Sequence, residues 1–215
     1  MRNMTNGGNL VQVGLVLATY KQVLGMWQFN LHFSPSWRAP YHPGVKFLHD
    51  KAGINFEQHE TRGIPAIDFT KWLSEFGLIC NSNVDWITFA GCNDFGFLTC
   101  CLTGTQLGPD RLQFLNTFRE LFPQSYDIRI FTKLGRCRPA VMDGGLSKVC
   151  QRLQVQVKIE GHAHNSAYDA LCTILCLEKL SRADSHFFTR IRKYCGALYG
   201  VSDIHEFDRT QWRSF

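Results

Sequence analysis

The 215-residue sequence lacks any C-x-x-C pair, and none of its nine cysteines stands at zinc-ligand spacing. Nine is odd and no disulfide framework is suggested, so reduced, mostly buried thiols are expected, as in a cytosolic or nuclear protein. No apolar run approaches eighteen residues, so no membrane span is expected. The polar start MRNMTNGGN is not followed by the apolar segment of a signal peptide. A glycine-rich phosphate loop, a V-A-I-K lysine and an H-R-D are all missing, which sets aside the kinase reading of Asp94-Phe95-Gly96. There is no internal repeat and no linker long enough to divide the chain. One domain over residues 1–201 with a polar tail over 202–215 is expected.

What is present is a core. Hydrophobic residues make up 45%, with 17 Phe, enough for a packed globule. The net charge of +5 is compatible with a phosphate-bearing partner and with an ordinary solvated face. Apolar and β-branched Asn9 to Ala18 reads as a strand. Trp27, Phe29, Leu31 and Phe33 alternate onto one face, so 25–33 reads as its hairpin partner. The three prolines of 34–44 mark a loop, and polar 56–63 carries no regular pattern. Helical spacing follows over 65–80, 110–122, 145–153, 166–179 and 184–193, and Tyr126 to Phe131 alternates like a strand. Strands followed by alternation with helices give an α/β chain.

Two stretches carry chemistry. In VDWITFAGCNDFGFL, residues 84–98, a short buried strand ends at Ala90-Gly91 and delivers Asp94 to the start of a helix. Such an acid serves either as an N-cap or as a ligand at the C-terminal end of a strand. In GHAHNSAYDA, residues 161–170, His164 and Asp169 stand five apart at the start of a long helix. That is not a same-face helical spacing. The two converge only if His164 lies in the loop and Asp169 on the first turn; otherwise they are a loop histidine and a helix-start acid favoured by the dipole.

A strand-to-helix Asp followed by H-x-x-x-x-D at a later helix start resembles the DEDD 3′-to-5′ exonucleases. Seven ordered islands narrow the resemblance to the CAF/POP-type deadenylase subunit of the CCR–NOT mRNA decay complex, of plant type. They are WQFN at 27–30, HE at 59–60 with Gly63-Ile64, DFGFL at 94–98, LFP at 121–123, YDI at 126–128, GGL at 144–146 and KYCGALYGV at 193–201.

The resemblance implies a ribonuclease H-like mixed sheet flanked by helices, and a poly(A)-specific 3′–5′ exoribonuclease of the nucleus and cytoplasm. It implies two divalent metals, magnesium in the family, held by four carboxylates that clamp attacking and leaving oxygens. Asp94 and Asp169 are expected to be two of these ligands, and His164 the residue that orients or deprotonates the attacking water. Expected partners are poly(A) RNA, a CCR–NOT scaffold subunit and a second deadenylase. Lys133, Arg136 and Arg138 form a basic cluster that either meets RNA phosphates or is a solvated loop.

The sequence departs from the family in two places. The other two carboxylates come from a D-x-E on the family's first strand, and no D-x-E occurs in these 215 residues. The chain is therefore expected to be N-terminally incomplete, to lack the central strand between the hairpin and the strand at 84–89, and to bind metal at most weakly. The family also reads F-H-S-G-Y-D where Phe89 to Asp94 reads FAGCND, so Ala90, Gly91 and Asn93 replace the His, Ser and Tyr beside the acid. The alternative reading is a catalytically inactive relative that acts as a binding or scaffold component.

Overall fold

A computed structural model describes residues 8–34, 43–133, 143–157 and 165–203. Strand β1 (Gln12–Ala18) pairs antiparallel with β2 (Val23–Asn30), in a register running from Gln12 opposite Asn30 to Leu17 opposite Gly25, with an irregularity at Leu17/Ala18. This is the expected hairpin. Its inner face is the apolar set: Phe29 packs on Phe69 with ring centroids 5.3 Å apart, and Leu31 is fully buried. Trp27, opposite Leu15 in the middle of the ladder, remains 47% exposed, so the alternation marks the face but not the burial of each member.

Helix α1 (Pro43–Asp50) begins inside the stretch expected to be a proline loop. Helix α2 (Phe56–Arg62) forms from a segment too polar to look regular. The Asn55 side chain caps it by accepting from Gln58 N at 3.1 Å, and Phe56 and His59, three apart, bury on one side. Helix α3 (Ala66–Glu75) is shorter than its pattern; it ends at Glu75, and Gly77 lies beyond at a positive φ of 63°.

Strand β3 (Asp85–Thr88) runs parallel to β4 (Gln124–Asp127), and between them lie α4 (Cys92–Thr103) and α5 (Arg111–Leu121). Phe95, Phe118 and Phe122 hold this unit together, with centroids 4.6 Å and 4.8 Å from Phe95, and Trp86 meets Phe122 edge-on at 5.0 Å. Such aromatic pairs each add roughly 0.5–1.5 kcal/mol beyond the area they bury. β4 ends at Asp127 and the chain turns into a 3-10 helix (Ile128–Lys133), so only the first two residues of the alternating YDIRIF stretch are strand. Helices α6 (Leu146–Arg152), α7 (Ser166–Ala183) and α8 (Phe187–Arg192) close a second core, where Phe131 stacks on Phe187 at 4.4 Å.

Among the described residues the strands form two separate two-stranded sheets, with no strand bonding one to the other. A gap separates the two pairs. Helix α7 bridges it by packing on β1, β2 and β3. The approach to β1 is close: a Cβ on Gly14 would stand 2.0 Å from the Ser166 carbonyl oxygen, so only glycine fits there. No described helix is long and apolar enough to cross a membrane. All eight described cysteines are free, but only Cys172 and Cys176 are buried and Cys80 is exposed, so fewer thiols are hidden than expected.

Candidate functional site

Two helix starts converge on one side of β3. Asp94 lies on the first turn of α4, whose N-cap is Gly91, so the acid stands inside the helix and is not the cap. A Cβ at Gly91 would come within 2.4 Å of Thr88 Oγ1, so the turn as built has no room for the serine of the family pattern. The preceding Ala90 sits at φ 58°, a left-handed conformation costing an L-residue about 1–2 kcal/mol.

Asp169 occupies the first turn of α7. Asn165 is the N-cap, and its side chain accepts from Tyr168 N at 3.0 Å. This is the placement the five-residue offset required of Asp169. His164 lies outside the described residues, as do Arg136 and Arg138; Lys133 ends the 3-10 helix, with its side chain outside the description.

What holds α4 and β4 in position is a residue not singled out for any role from the sequence. Asp127 is 1% exposed, and its two oxygens accept four backbone N–H bonds. Oδ1 takes Ala90 N at 2.8 Å and Arg129 N at 3.1 Å, and Oδ2 takes Gly91 N at 3.1 Å and Tyr199 N at 3.0 Å. One carboxylate thereby ties β4, the β3–α4 turn and the segment after α8. The bond to Arg129 N, two residues on, also bends the chain out of β4. Burial pushes its carboxyl above the ordinary range, against the pull of the four N–H donors. The signal available in the sequence was an acid inside an apolar run, which a core tolerates only with partners.

Asp94, Asp127 and Asp169 are near enough to act on one another. The Asp94 carboxyl is raised to about 6, first by desolvation and then by the negative charges of Asp127 and Asp169. Its side chain is nonetheless open to solvent on one side. Solvent touches the carboxylate from its open side, while protein fills most of the volume around it. The dense surroundings set the direction of the shift, and the open side screens its energetic worth. Asp94 and Asp169 thus form a concentration of negative charge that a bound cation would relieve.

The fit to a two-metal centre is partial. Asp127 has committed both oxygens to backbone donors and is unsuited to ligate. Among the described residues, no group of three or more His, Cys, Asp or Glu is placed to hold a metal ion. Asp94 and Asp169 supply two carboxylates, which fit half of a two-ion site and do not complete one.

No family model matches the chain. It is 34% identical over 198 residues to the "CCR4-NOT transcription complex subunit 7" of Caenorhabditis elegans, covering 89% of this chain and 63% of that protein, a little under two thirds of its length. It is 30% identical over 201 residues to the "Probable CCR4-associated factor 1 homolog 7" of Arabidopsis thaliana, covering 89% of this chain and 70% of that one. Among solved structures, it is similar to a Mg2+- and Mn2+-bound form of S. pombe Pop2p, with a TM-score of 0.79, 28% identity and coverage of 93% of this chain and 77% of that one. The RNase domain of yeast Pop2 gives a TM-score of 0.77 at 25% identity, covering 94% of this chain and 78% of that one. A structure of the yeast NOT1 MIF4G domain co-crystallised with CAF1 gives a match with a TM-score of 0.64 and 25% identity, covering 81% of this chain and 66% of the matched one. With two small sheets flanked by helices and these likenesses along nearly its whole length, the chain has the ribonuclease H-like fold and belongs to the CCR4-associated factor 1 (CAF1/Pop2) family.

Proposed function

We propose that this chain carries the Asp94–Asp169 half of a poly(A)-specific 3′–5′ exoribonuclease site, acting within the CCR–NOT complex in the nucleus and cytoplasm. The observation that carries this reading is the convergence of Asp94 and Asp169 from the first turns of α4 and α7, close enough for each charge to bear on the other. In this reading both are metal ligands, and His164, one residue before the Asn165 cap, orients or deprotonates the attacking water. Two magnesium ions are the proposed cofactors of a complete site, with weak binding at most to these residues. The metal-bound Pop2p relative supports divalent ions in general. The likeness to a CAF1 bound by a NOT1 domain supports a scaffold subunit as partner. A second deadenylase and poly(A) RNA complete the proposed partners, with Lys133, Arg136 and Arg138 as candidate phosphate contacts.

A second reading is favoured by a specific observation. No third ligand joins the pair among the described residues, and the nearest acid, Asp127, is committed to structure. On that reading the chain is an inactive relative that binds partners. The discriminating experiment supplies a D-x-E strand at the N-terminus and measures magnesium-dependent shortening of oligo(A). If the half-site is real, the extended protein shortens oligo(A), and Asp94→Asn and Asp169→Asn each remove most of that activity. An inactive extended protein, or activity that survives either substitution, contradicts the assignment.

A further inference from the structure

Three thiols meet where α6 packs on α7. Cys172 and Cys176 stand four apart on α7, so they share one face of that helix. Cys150, on α6, packs against the core that this face belongs to. Its Sγ lies 3.5 Å from Cys176 Sγ, and Cys172 also bonds the Cys150 thiol. The three differ in access. Cys176 is fully buried and Cys172 is buried, whereas Cys150 is half-buried and is the one of the three that solvent reaches most readily.

The core around them holds the two helices in place. Val149, next to Cys150, is fully buried in one cluster with Leu177 and Leu180 of α7 and Phe187 of α8. Side chains placed by a close-packed core need little further ordering when a bond forms between them. The Cys150 and Cys176 sulfurs stand roughly 1.5 Å outside bonding distance. The bond with Cys172 pulls the Cys150 thiol down, but the contact with Cys176 and burial outweigh it and push the thiol up to about 12. Thiolate is the reacting form and little of it is present near neutral pH, so adventitious oxidation of Cys150 is slow.

We propose that Cys150 and Cys176 form a reversible dithiol–disulfide pair, a modification site that fastens α6 to α7. The oxidant is a low-molecular-weight disulfide of the oxidised-glutathione class. Cys150, the reachable thiol, loses its proton, and its thiolate attacks one sulfur of that disulfide. A mixed disulfide forms and one glutathione thiolate leaves. The Cys176 thiolate, its proton also lost, then attacks the Cys150 sulfur. The protein S–S bond forms and the second glutathione thiolate leaves. The two protons given up by the cysteines end on the two glutathione thiolates. The protein is oxidised by two electrons and the small disulfide is reduced by two. Cys176 is the partner because its sulfur makes the close contact. Asp169 lies on the same helix, one turn before Cys172, so the clip fixes against α6 the helix that positions this acid. Neither sulfur takes part in the nuclease reading, and the pair forms whether or not that reading holds.

The test exposes the purified, folded 215-residue chain to oxidised glutathione at mildly alkaline pH. Remaining thiols are then alkylated, and a non-reduced digest is mapped by mass spectrometry. A peptide pair linked through Cys150 and Cys176 is expected, two hydrogens lighter than its reduced parts, and dithiothreitol is expected to undo it. The link joins positions 26 apart, so the oxidised chain is expected to melt about 4 °C higher than the reduced one. Cys150→Ser is expected to abolish the link, and Cys80→Ser, at the exposed cysteine, to leave it intact. Where a variant fails to fold, the digest of the parent chain decides by itself. Several results would overturn the assignment: Cys150 still fully alkylated after treatment, a mixed disulfide on Cys150 that never passes to Cys176, or a link to Cys172 in its place. A link that forms only in urea, or a lower melting temperature on oxidation, would contradict the claim that the native packing prepares the pair.

Discussion

Replacing Asp94 with asparagine is expected to stabilise the metal-free chain at neutral pH. The folded Asp94 carboxyl is raised to about 6, from an ordinary value of 3.8. A raised folded value means the native state holds its proton longer than the unfolded chain does, so stability falls as pH rises between about 4 and 6 and stays low above that. At 1.36 kcal/mol per pH unit, the full shift would cost the ionised native state about 3 kcal/mol. Asp94 is open to solvent on one side, so screening reduces this to about 1 kcal/mol. Asp94→Asn keeps the shape of the side chain and removes the charge. Thermal melts of both proteins by circular dichroism are expected to coincide near pH 3.5, where both side chains are neutral. They should separate by about 3 °C in favour of the variant at pH 7, given about 2–4 °C per kcal/mol for a chain of this size. Taking the difference between two proteins cancels the other titrating groups. A variant less stable than the parent at pH 7, or a difference that does not change with pH, would refute the argument that desolvation and two neighbouring carboxylates load this position.

Other substitutions test the scaffold beneath the pair. Asp127→Ala leaves one buried and three part-buried N–H groups without their acceptor and is expected to cost about 3 kcal/mol in urea unfolding, with Asp127→Asn intermediate because one oxygen remains. Gly14→Ala places a methyl where the Ser166 carbonyl lies, so α7 must retreat from β1; a loss of about 2 kcal/mol or more is expected, together with changed amide shifts around Asp169. Ala90→Gly relieves a left-handed alanine and is expected to raise stability by about 0.5–1 kcal/mol, a gain readable as a higher urea midpoint at unchanged slope.

How much of this could be read from residues alone varies with the range of the interactions. The hairpin was legible because its alternation faces one core, and the β3–α4 handover because a short apolar run ends at Ala90-Gly91. α7 was legible from Asn165 onward, since its cap and its apolar spacing agree. Local competition hid the rest. A seven-residue stretch polar but for Phe56 became α2 because Asn55 caps it and two buried side chains anchor it, and neither fact is visible as periodicity. The alternation of YDIRIF promised a strand to Phe131, but the Asp127 carboxylate captures Arg129 N and ends β4 early. The cap reading of Asp94 stayed open until the helix start was located at Cys92. The contact between Gly14 and Ser166 joins residues 152 positions apart, and no local pattern encodes it.

The central claim is that Asp94 and Asp169 are two carboxylates of a nuclease site and that no further metal ligand joins them among the described residues. The direct measurement is incubation of the purified chain with 5′-labelled oligo(A) and magnesium, with Asp94→Asn as the control. No shortening above that control is predicted. Robust magnesium-dependent shortening that Asp94→Asn abolishes would contradict the account, because it would require further metal ligands within this chain.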